Sequence, residues 1–527
     1  MKSVMMMATA VTALLTTEIA DCSRAPGRLV IDEDLFIDGY RYRVDADGAV
    51  SVIVGGGRSP VHKYGLNGDK VVSSVNGVSR FPRKLFHFNG ETYVPSLATK
   101  DYSLSIDDED YVASSFIADS IEVISGQCFE GRLCLSVVAF GPNSRLIAIE
   151  DKAFFNSSLR SIGLPFSVES LEDECFSDCM LLVSVTFASN SRLTKIGRYA
   201  FSGCSSLEAI DLPSGVRFLG DGCFGGREAL RTVTFAFDGS QLRRIGYSAF
   251  SGCSSLRSIC FPSSVEKIGG GSFFGCRART VAFGPDSQLT EIGRRAFLDC
   301  PSLEAIDLPS GVRFLGDGCF AGCRALSVVT FASGSQLRRI EDGAFYDCSL
   351  LESICFPRSV EEIEGDSFNG CRSLSSITFE DNSHLRAIGP RAFSGSSLEA
   401  IYSPRSLKKI GERCFSDCSV LSAVAFESDS QLTEIGPSAF SRCLSLGSIC
   451  IPHGVRILRE RCFSGCAELK AVAFVSAGSH LRAIGSRAFF GCSSLESICI
   501  PRSVETIGSK CFERCASLRR VEFGSGF

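Results

Sequence analysis

The feature that most constrains the fold of this chain is a short apolar pattern that recurs along most of its 527 residues. The segments 256–276, 351–371 and 495–515 share the pattern L-x-x-I-x-(F/I)-P-x-x-V-x-x-I-x-x-x-x-F-x-x-C. Self-similarity at a period of roughly 20 to 50 residues is typical of solenoids, because one repeat cannot bury its apolar face alone. The phenylalanine near the end of the pattern anchors seventeen copies: Phe129, Phe154, Phe176, Phe201, Phe224, Phe250, Phe273, Phe297, Phe320, Phe345, Phe368, Phe393, Phe415, Phe440, Phe463, Phe489 and Phe512.

The spacing between these anchor phenylalanines alternates along the chain. Steps of 24–26 residues are followed by steps of 22–23 residues, so the chain predicts about seventeen coils of 22–26 residues. Short units carry the proline of the pattern, whereas long units replace it with a polar turn, as in segments 283–289 and 426–432. This alternation indicates that the array grew by duplication of a pair of coils.

Each part of one coil has a physical interpretation. Ile259 and Phe261 are two residues apart, so in a short strand they point to the same side. Pro262 then ends that strand, because it cannot donate a hydrogen bond to a sheet. Gly269 is expected to allow a turn, and segment 272–276 to form a tight corner, with a helical turn as one option. Stacked coils would bury their apolar layers against one another.

Cysteine recurs at the same corner. Thirteen of the 26 cysteines lie three residues after an anchor phenylalanine. Metal binding and redox chemistry are conceivable, but no C-x-x-C pair is present and a zinc site is therefore disfavoured. We interpret these cysteines as small buried side chains with a weak donor, stacked into a ladder. The predicted structural anchors are Phe201, Phe250, Phe297, Phe345, Phe393, Phe440, Phe489, Cys204, Cys253, Cys300, Cys348, Cys443 and Cys492.

The repeat resembles a known family. The unit L-x-x-I-x-F-P-x-x-V-x-x-I-G-x-x-A-F-x-x-C, over residues 112–527, is similar to the BspA-like, or treponemal-type, leucine-rich repeat. The resemblance implies a right-handed solenoid with a parallel β-sheet on one face. It also implies a link to adhesion, because many members are surface proteins of bacteria and parasitic protists that adhere to host proteins and cells. Other members of the family have no assigned role.

A few copies depart from this unit. Leucine is missing where Arg279 stands, and the corner cysteine is replaced by Arg132, Ser157, Arg227 and Ser396. We expect slightly looser coils at these places and no break in the array.

The residues before the array do not repeat. Residues 1–27 are predicted to be a leader or a disordered tail, with an apolar run of signal-peptide size at 4–15 but a poor cleavage site. Residues 28–111 alternate apolar and polar side chains between turn signals, which predicts a small β-rich cap for the first coil. Residues 112–527 form the predicted solenoid.

Charge and composition narrow the function. The 54 basic and 59 acidic residues give a net charge of −5, which argues against nucleic acid as a partner. We predict no catalytic, cofactor or metal site, because no histidine lies in a catalytic motif and no phosphate-binding loop is present. No later segment is long and apolar enough to cross a bilayer, and no membrane anchor is visible. The histidines are His62, His87, His384, His453 and His480.

The expected function is therefore protein binding, with no cofactor. A surface or secreted adhesion protein is favoured by the resemblance. An intracellular, cytoplasmic scaffold is the alternative, and the poor cleavage site and numerous cysteines favour it. The chain also offers possible end-to-end self-association, because its last strand, 521–523, has no cap after it.

Two surfaces could carry such binding. The outward positions of the predicted sheet are small and nearly neutral, and could bind a broad partner through many weak contacts. The alternative, which we favour slightly, is recognition by the variable polar turns such as 427–430. Cys260, Cys355, Cys450 and Cys499 are expected to face outwards as well. The candidate exposed sheet face comprises Asp211, Thr234, Asp307, Thr330, Thr378 and Tyr402.

Overall fold

The structure is a computed structural model. It describes residues 119–133, 135–226, 229–236, 239–475 and 479–524, together with the strands that precede them. Two compact units make up the chain, one of residues 1–85 with 92–115 and one of residues 86–91 with 116–527.

The strands before the repeats are short, and the first five pair antiparallel in sequence order. The leader or tail predicted for residues 1–27 lies outside the described residues, and the capping role of residues 28–111 stays a prediction. The strands in this part are Leu35–Ile37, Tyr40–Val44, Val50–Ile53, Lys63–Asn67, Lys70–Val72, Phe86–Phe88, Glu91–Tyr93 and Ala113–Ile117.

Each coil of the repeat array contributes one front strand after its anchor phenylalanine. Alternate side chains of these strands are buried, because they point into the coil. The seventeen front strands are Leu135–Phe140, Ser161–Leu164, Ser184–Phe187, Ala209–Leu212, Thr232–Phe235, Ser258–Phe261, Thr280–Phe283, Ala305–Leu308, Val328–Phe331, Ser353–Phe356, Ser376–Phe379, Ala400–Ser403, Ala423–Phe426, Ser448–Ile451, Ala471–Phe474, Ser497–Ile500 and Arg520–Phe523.

Each coil also contributes a two-residue back strand before its corner. These strands pair in parallel with their neighbours from the first coil to the last, and their second residue, an isoleucine or leucine, is buried in nearly every coil. The seventeen back strands are Val123–Ile124, Ala148–Ile149, Ser170–Leu171, Lys195–Ile196, Phe218–Leu219, Arg244–Ile245, Lys267–Ile268, Glu291–Ile292, Phe314–Leu315, Arg339–Ile340, Glu362–Ile363, Ala387–Ile388, Lys409–Ile410, Glu434–Ile435, Ile457–Leu458, Ala483–Ile484 and Thr506–Ile507. The predicted parallel-strand solenoid of seventeen coils is therefore confirmed.

Pairing in the front sheet follows the alternation of unit length. Across the short step from 258–261 to 280–283, all four residues pair in register. Across the long step from 328–331 to 353–356, only Val328 and Ser353 pair. The long steps 184–209 and 232–258 interrupt the sheet, which is divided into three parts there. The extra residues of the long units therefore loosen the front sheet and leave the back ladder continuous.

The anchor phenylalanines form one stack through the core. Neighbouring rings lie 4.9–5.7 Å apart between centroids and are almost parallel from Phe129 to Phe512. Phe320, for example, stacks at 5.3 Å on both Phe297 and Phe345 and is fully buried. Stacked aromatic pairs contribute about 0.5–1.5 kcal/mol beyond the burial of their area. The predicted anchors thus hold neighbouring coils together along the whole array.

The corner around each anchor phenylalanine is a non-helical turn. The option of a helical turn, which the sequence left open, is therefore wrong. In every coil the residues two before and two after the phenylalanine have positive φ, as at Gly318 (56°) and Gly322 (71°) beside Phe320. Left-handed residues cannot continue a right-handed helix. No helix occurs in the part of the chain that the structure describes.

The backbone of Gly269, in contrast, is not in the left-handed conformation. A Cβ there would lie 2.7 Å from the backbone of Gly246 in the preceding coil. The glycine after the core isoleucine therefore permits close approach of coils, and the predicted turn begins at the next residue, Gly270.

In the coil that contains Arg279, the buried position that leucine fills in other coils lies one residue earlier in the sequence. Ala278 is buried in its place, while Arg279 is exposed and its guanidinium binds Glu304. This coil is shortened by one residue after Cys276, which a pattern search with fixed spacing misses. The phenylalanine stack is continuous here, with Phe273 and Phe297 5.1 Å apart.

Candidate interaction surfaces

The corner cysteines form a ladder of hydrogen bonds. All thirteen thiols donate to the carbonyl oxygen of the anchor phenylalanine one coil earlier, at 3.0–3.4 Å. Cys348, for example, donates to Phe320 at 3.2 Å. Ser157 takes the cysteine position in one coil, and its hydroxyl lies 3.3 Å from the Cys179 thiol. The position therefore accommodates a small side chain with one donor.

Burial favours the protonated form of corner thiols such as Cys371 and Cys466. Removal from water raises the pKa of Cys371 and of Cys466 to about 12. A protonated, buried thiol is a poor nucleophile and a poor metal ligand. Among the residues that the structure describes, no group of three or more His, Cys, Asp or Glu side chains could hold a metal ion. The corner has the geometry of a structural element.

The front sheet presents the candidate residues to solvent but does not gather them into one site. Asp211 pairs in register with Thr234, and Asp307 with Thr330 four coils further along. All six candidate residues are exposed, and Tyr402 is 69% exposed. The remaining two pairings of this set are Cys355 with Thr378 and Tyr402 with Ala425. A partner of the front sheet would have to extend over several coils.

Four cysteines lie on this same face. Cys260, Cys355, Cys450 and Cys499 are exposed, which confirms that they face outwards. Each occupies the third position of a front strand, beside alanine, threonine or glutamate in the next strand. The corner and the front sheet thus carry cysteines of opposite exposure.

A serine holds each polar turn in place. In the turn 427–430, the hydroxyl of Ser430 is buried and accepts a hydrogen bond from the backbone N–H of Leu432 at 3.3 Å. The same bond recurs in the other long units, as between Ser335 and Leu337. The residues before the serine are free to vary, and Asp429 there binds Arg405 at 3.4 Å. Sequence reasoning missed this serine, although the recurring S-x-L spacing could have indicated it.

A groove opens where the polar turns meet the back strands, and sequence reasoning missed it too. Its volume is about 520 Å³. We call it the edge groove, and its lining residues are Arg313, Phe314, Ser335, Gln336, Arg338 and Ser359. A smaller groove of about 300 Å³ has equivalent lining residues in later coils, namely His384, Arg386, Ser406, Lys408 and Gln431. The sequence feature that could have indicated these grooves is the basic residue that recurs two positions before the core isoleucine or leucine.

Among the described residues, no helix has the length and apolar character that a bilayer crossing requires.

Self-association through the last front strand, Arg520–Phe523, stays a prediction.

Comparison with known proteins agrees with the repeat. A family model described as the BspA type leucine rich repeat region matches residues 111–231, 232–351, 338–470 and 425–527. No curated protein matches the chain.

Solved structures of other leucine-rich repeat proteins are also similar. One is a leucine-rich repeat protein from Bacteroides ovatus, with 22% identity and a TM-score of 0.47, covering 94% of this chain and 100% of that chain. A leucine rich cell surface protein from Faecalibacterium prausnitzii has 22% identity and a TM-score of 0.33, covering 96% and 97%. The pneumococcal vaccine antigen PcpA has 22% identity and a TM-score of 0.38, covering 60% and 78%.

Proposed function

Because the chain belongs to the BspA-type leucine-rich repeat family, we propose that it is a non-catalytic solenoid that binds host or matrix proteins as a surface or secreted adhesion protein. The family implies a role in protein–protein interaction. The adhesive role and the location are the parts that need a test.

One observation carries this proposal, namely the division between a constant interior and a varied exterior. The anchor stack, the core isoleucines and the thiol ladder recur from coil to coil. The outward positions change freely, from Asp307 to Tyr402 to Cys450 on the front strands alone. Repeat proteins use such an arrangement to present a long, stable surface whose exposed residues set the partner.

The test is labelling of intact source cells with a membrane-impermeant, amine-reactive biotin reagent. The proposal expects the protein in the labelled fraction, together with retention of the purified chain on immobilised matrix proteins. Protein that becomes labelled only after lysis would contradict the adhesion role, even if the chain binds proteins in solution.

An intracellular scaffold is the second candidate, and the four exposed cysteines of the front sheet favour it. Exposed thiols are stable in reducing compartments and tend to oxidise outside the cell. If cells are lysed in the presence of a thiol-blocking reagent, this candidate expects Cys260, Cys355, Cys450 and Cys499 to be recovered as blocked thiols. Recovery of these residues in disulfides or in oxidised forms would contradict it.

A further inference from the structure

The edge groove holds two arginines without a counter-charge. Arg313 and Arg338 occupy the same position in adjacent coils, and the backbone N–H of Arg338 donates to the carbonyl of Arg313 at 2.9 Å. Neither guanidinium forms an ion pair with a carboxylate of the described residues. Like charges at the same position of adjacent coils repel each other. An anion between them would relieve that repulsion.

The neighbouring carboxylates leave Arg313 and Arg338 without a counter-charge, and the same arrangement recurs in later coils, where the backbone N–H of Arg482 donates to the carbonyl of Arg456 at 2.8 Å. Arg339, the next residue, binds the carboxylates of Glu362 at 2.9 Å and Glu364 at 3.5 Å. Glu361 occupies the position of Arg338 one coil later, but its carboxylate lies 3.6 Å from Arg386. The carboxylate at the same position of the next coil therefore pairs with another arginine, and the groove keeps its positive charge.

Ser359 adds an unused hydroxyl to the groove. At the equivalent position, Ser264 and Ser406 donate to a leucine carbonyl one coil earlier at 2.9 Å. The hydroxyl of Ser359 is shielded from solvent and has no hydrogen-bond partner among the described residues. A buried polar group without a partner is unfavourable, so a ligand that accepts its hydrogen bond is favoured.

The groove is not wholly polar. The side chain of Phe314 is 41% exposed and lines the groove together with the two arginines and Gln336. Guanidinium groups bind carboxylates through paired hydrogen bonds, and an exposed ring offers an apolar surface. The lining therefore combines an anion site with an apolar contact.

We propose that the edge groove binds an extended segment of a partner protein in which acidic side chains alternate with apolar ones. The acidic side chain lies between Arg313 and Arg338, and the apolar side chain packs on Phe314. This inference rests on the proposed protein-binding function and names the chemistry of the partner. The exposed ring favours a peptide over a sulfated polysaccharide, which has no apolar side chain to place there.

The test is fluorescence anisotropy of the full chain with a labelled peptide of alternating glutamate and leucine. The double variant Arg313→Gln/Arg338→Gln should weaken its binding by about tenfold or more, because charge-assisted hydrogen bonds are lost. The matched control is Arg257→Gln/Arg372→Gln, which removes the same charge at two exposed arginines outside the groove and should leave affinity within about twofold. Unfolding midpoints in urea confirm that both variants are folded.

Other probes decide the identity of the ligand. A peptide with lysine in place of glutamate should not bind, and Phe314→Ala should weaken the glutamate–leucine peptide but not an all-glutamate peptide. Equal effects of the two double variants would overturn the proposal, as would heparin that binds where the peptide does not.

Failure of this inference can be separated from failure of the proposed function. If matrix proteins bind the Arg313→Gln/Arg338→Gln variant as well as the unaltered chain, the edge groove is not their site, although the protein still binds them. If the unaltered chain binds no matrix protein, the adhesion role fails, and the peptide measurement still stands by itself.

Discussion

The corner and the front sheet of the same coils differ in how closely neighbouring coils are held. At the corner, the phenylalanine stack continues through every coil, with ring distances that vary by less than 1 Å, from 4.9 to 5.7 Å, and thirteen of the seventeen coils add a thiol to the ladder. In the front sheet, four residues pair across a short step, whereas one pair or none forms across some of the long steps. The difference shows that the corner and the back strands hold the array together, and that the front sheet and the turns can vary without loss of the fold.

The largest expected difference between the two regions is in their response to alkaline pH. Burial raises the pKa of Cys371 and Cys466 to about 12 and that of Cys418 to about 11. In the unfolded chain these thiols ionise at about pH 8.5, while in the folded chain they are still protonated at that pH. The contribution of these thiols to the free energy of unfolding should therefore be constant below pH 8 and fall above pH 9, by about 1.4 kcal/mol per pH unit for each buried thiol that the transition exposes.

Urea unfolding between pH 7.5 and 10 measures this slope. Cys466→Ala should reduce the slope by the contribution of one thiol. A free energy of unfolding that does not change between pH 8 and 10 would mean that the corner thiols are not buried.

The anchor stack provides the next largest effect. Phe320→Ala should lower the free energy of unfolding by about 3–5 kcal/mol, because it leaves a cavity between two stacked rings. Tyr402→Ala, on the front sheet, should change it by no more than about 0.5 kcal/mol. Urea denaturation compares the two variants, and similar losses in both would remove the distinction between the regions.

The fold could be predicted from the sequence because its determinants repeat. Seventeen copies of one pattern, with a two-residue alternation that ends at a proline in the short units and at a polar turn in the long units, specify a strand, a turn and a buried corner. The sequence could not show the left-handed residues around each anchor, because thirteen of the coils place a non-glycine residue two positions before the phenylalanine. Tyr199 and Arg391 give no sign of a positive φ. Stacking of coils imposes that conformation against local preference.

The candidate surfaces were harder to predict than the fold. The sequence placed Asp307 and Tyr402 on an outward face, since alternation along a strand is a local property. It could not show that Glu361 binds Arg386 and leaves Arg338 without a partner, because that choice depends on side-chain positions in three coils. The edge groove is a product of such packing between coils.

Two cysteines of the same coil, one buried and one exposed, allow a matched comparison in which the expected loss of stability is smaller. Cys348→Ala should cost about 1–2 kcal/mol of unfolding free energy, because a buried thiol and its hydrogen bond to Phe320 are lost. Cys355→Ala, seven residues later on the exposed face, should stay within about 0.5 kcal/mol. A larger loss for Cys355→Ala than for Cys348→Ala, measured by urea unfolding, would reverse the assignment of the two faces.

The smallest expected effects concern the left-handed positions of the corner. Ser438 has a φ of 55°, so Ser438→Gly should stabilise the fold by about 0.5–1 kcal/mol. Gly318→Ala should destabilise it by about 1 kcal/mol through the backbone alone, since the nearest side-chain atoms would be 3.7 Å from the new Cβ. Thermal unfolding of the two variants should shift in opposite directions, and shifts of the same sign would contradict the backbone assignment.

The most direct test of the difference between the corner and the front sheet is the reactivity of native thiols. The folded chain is treated with iodoacetamide at pH 7.5, and modified cysteines are identified by peptide mass mapping. Rapid modification is expected at Cys260, Cys355, Cys450 and Cys499, with the buried corner cysteines, such as Cys348, modified only after denaturation in urea. Modification of Cys348 in the native protein as fast as that of Cys355 would contradict the buried corner on which the account of the fold depends.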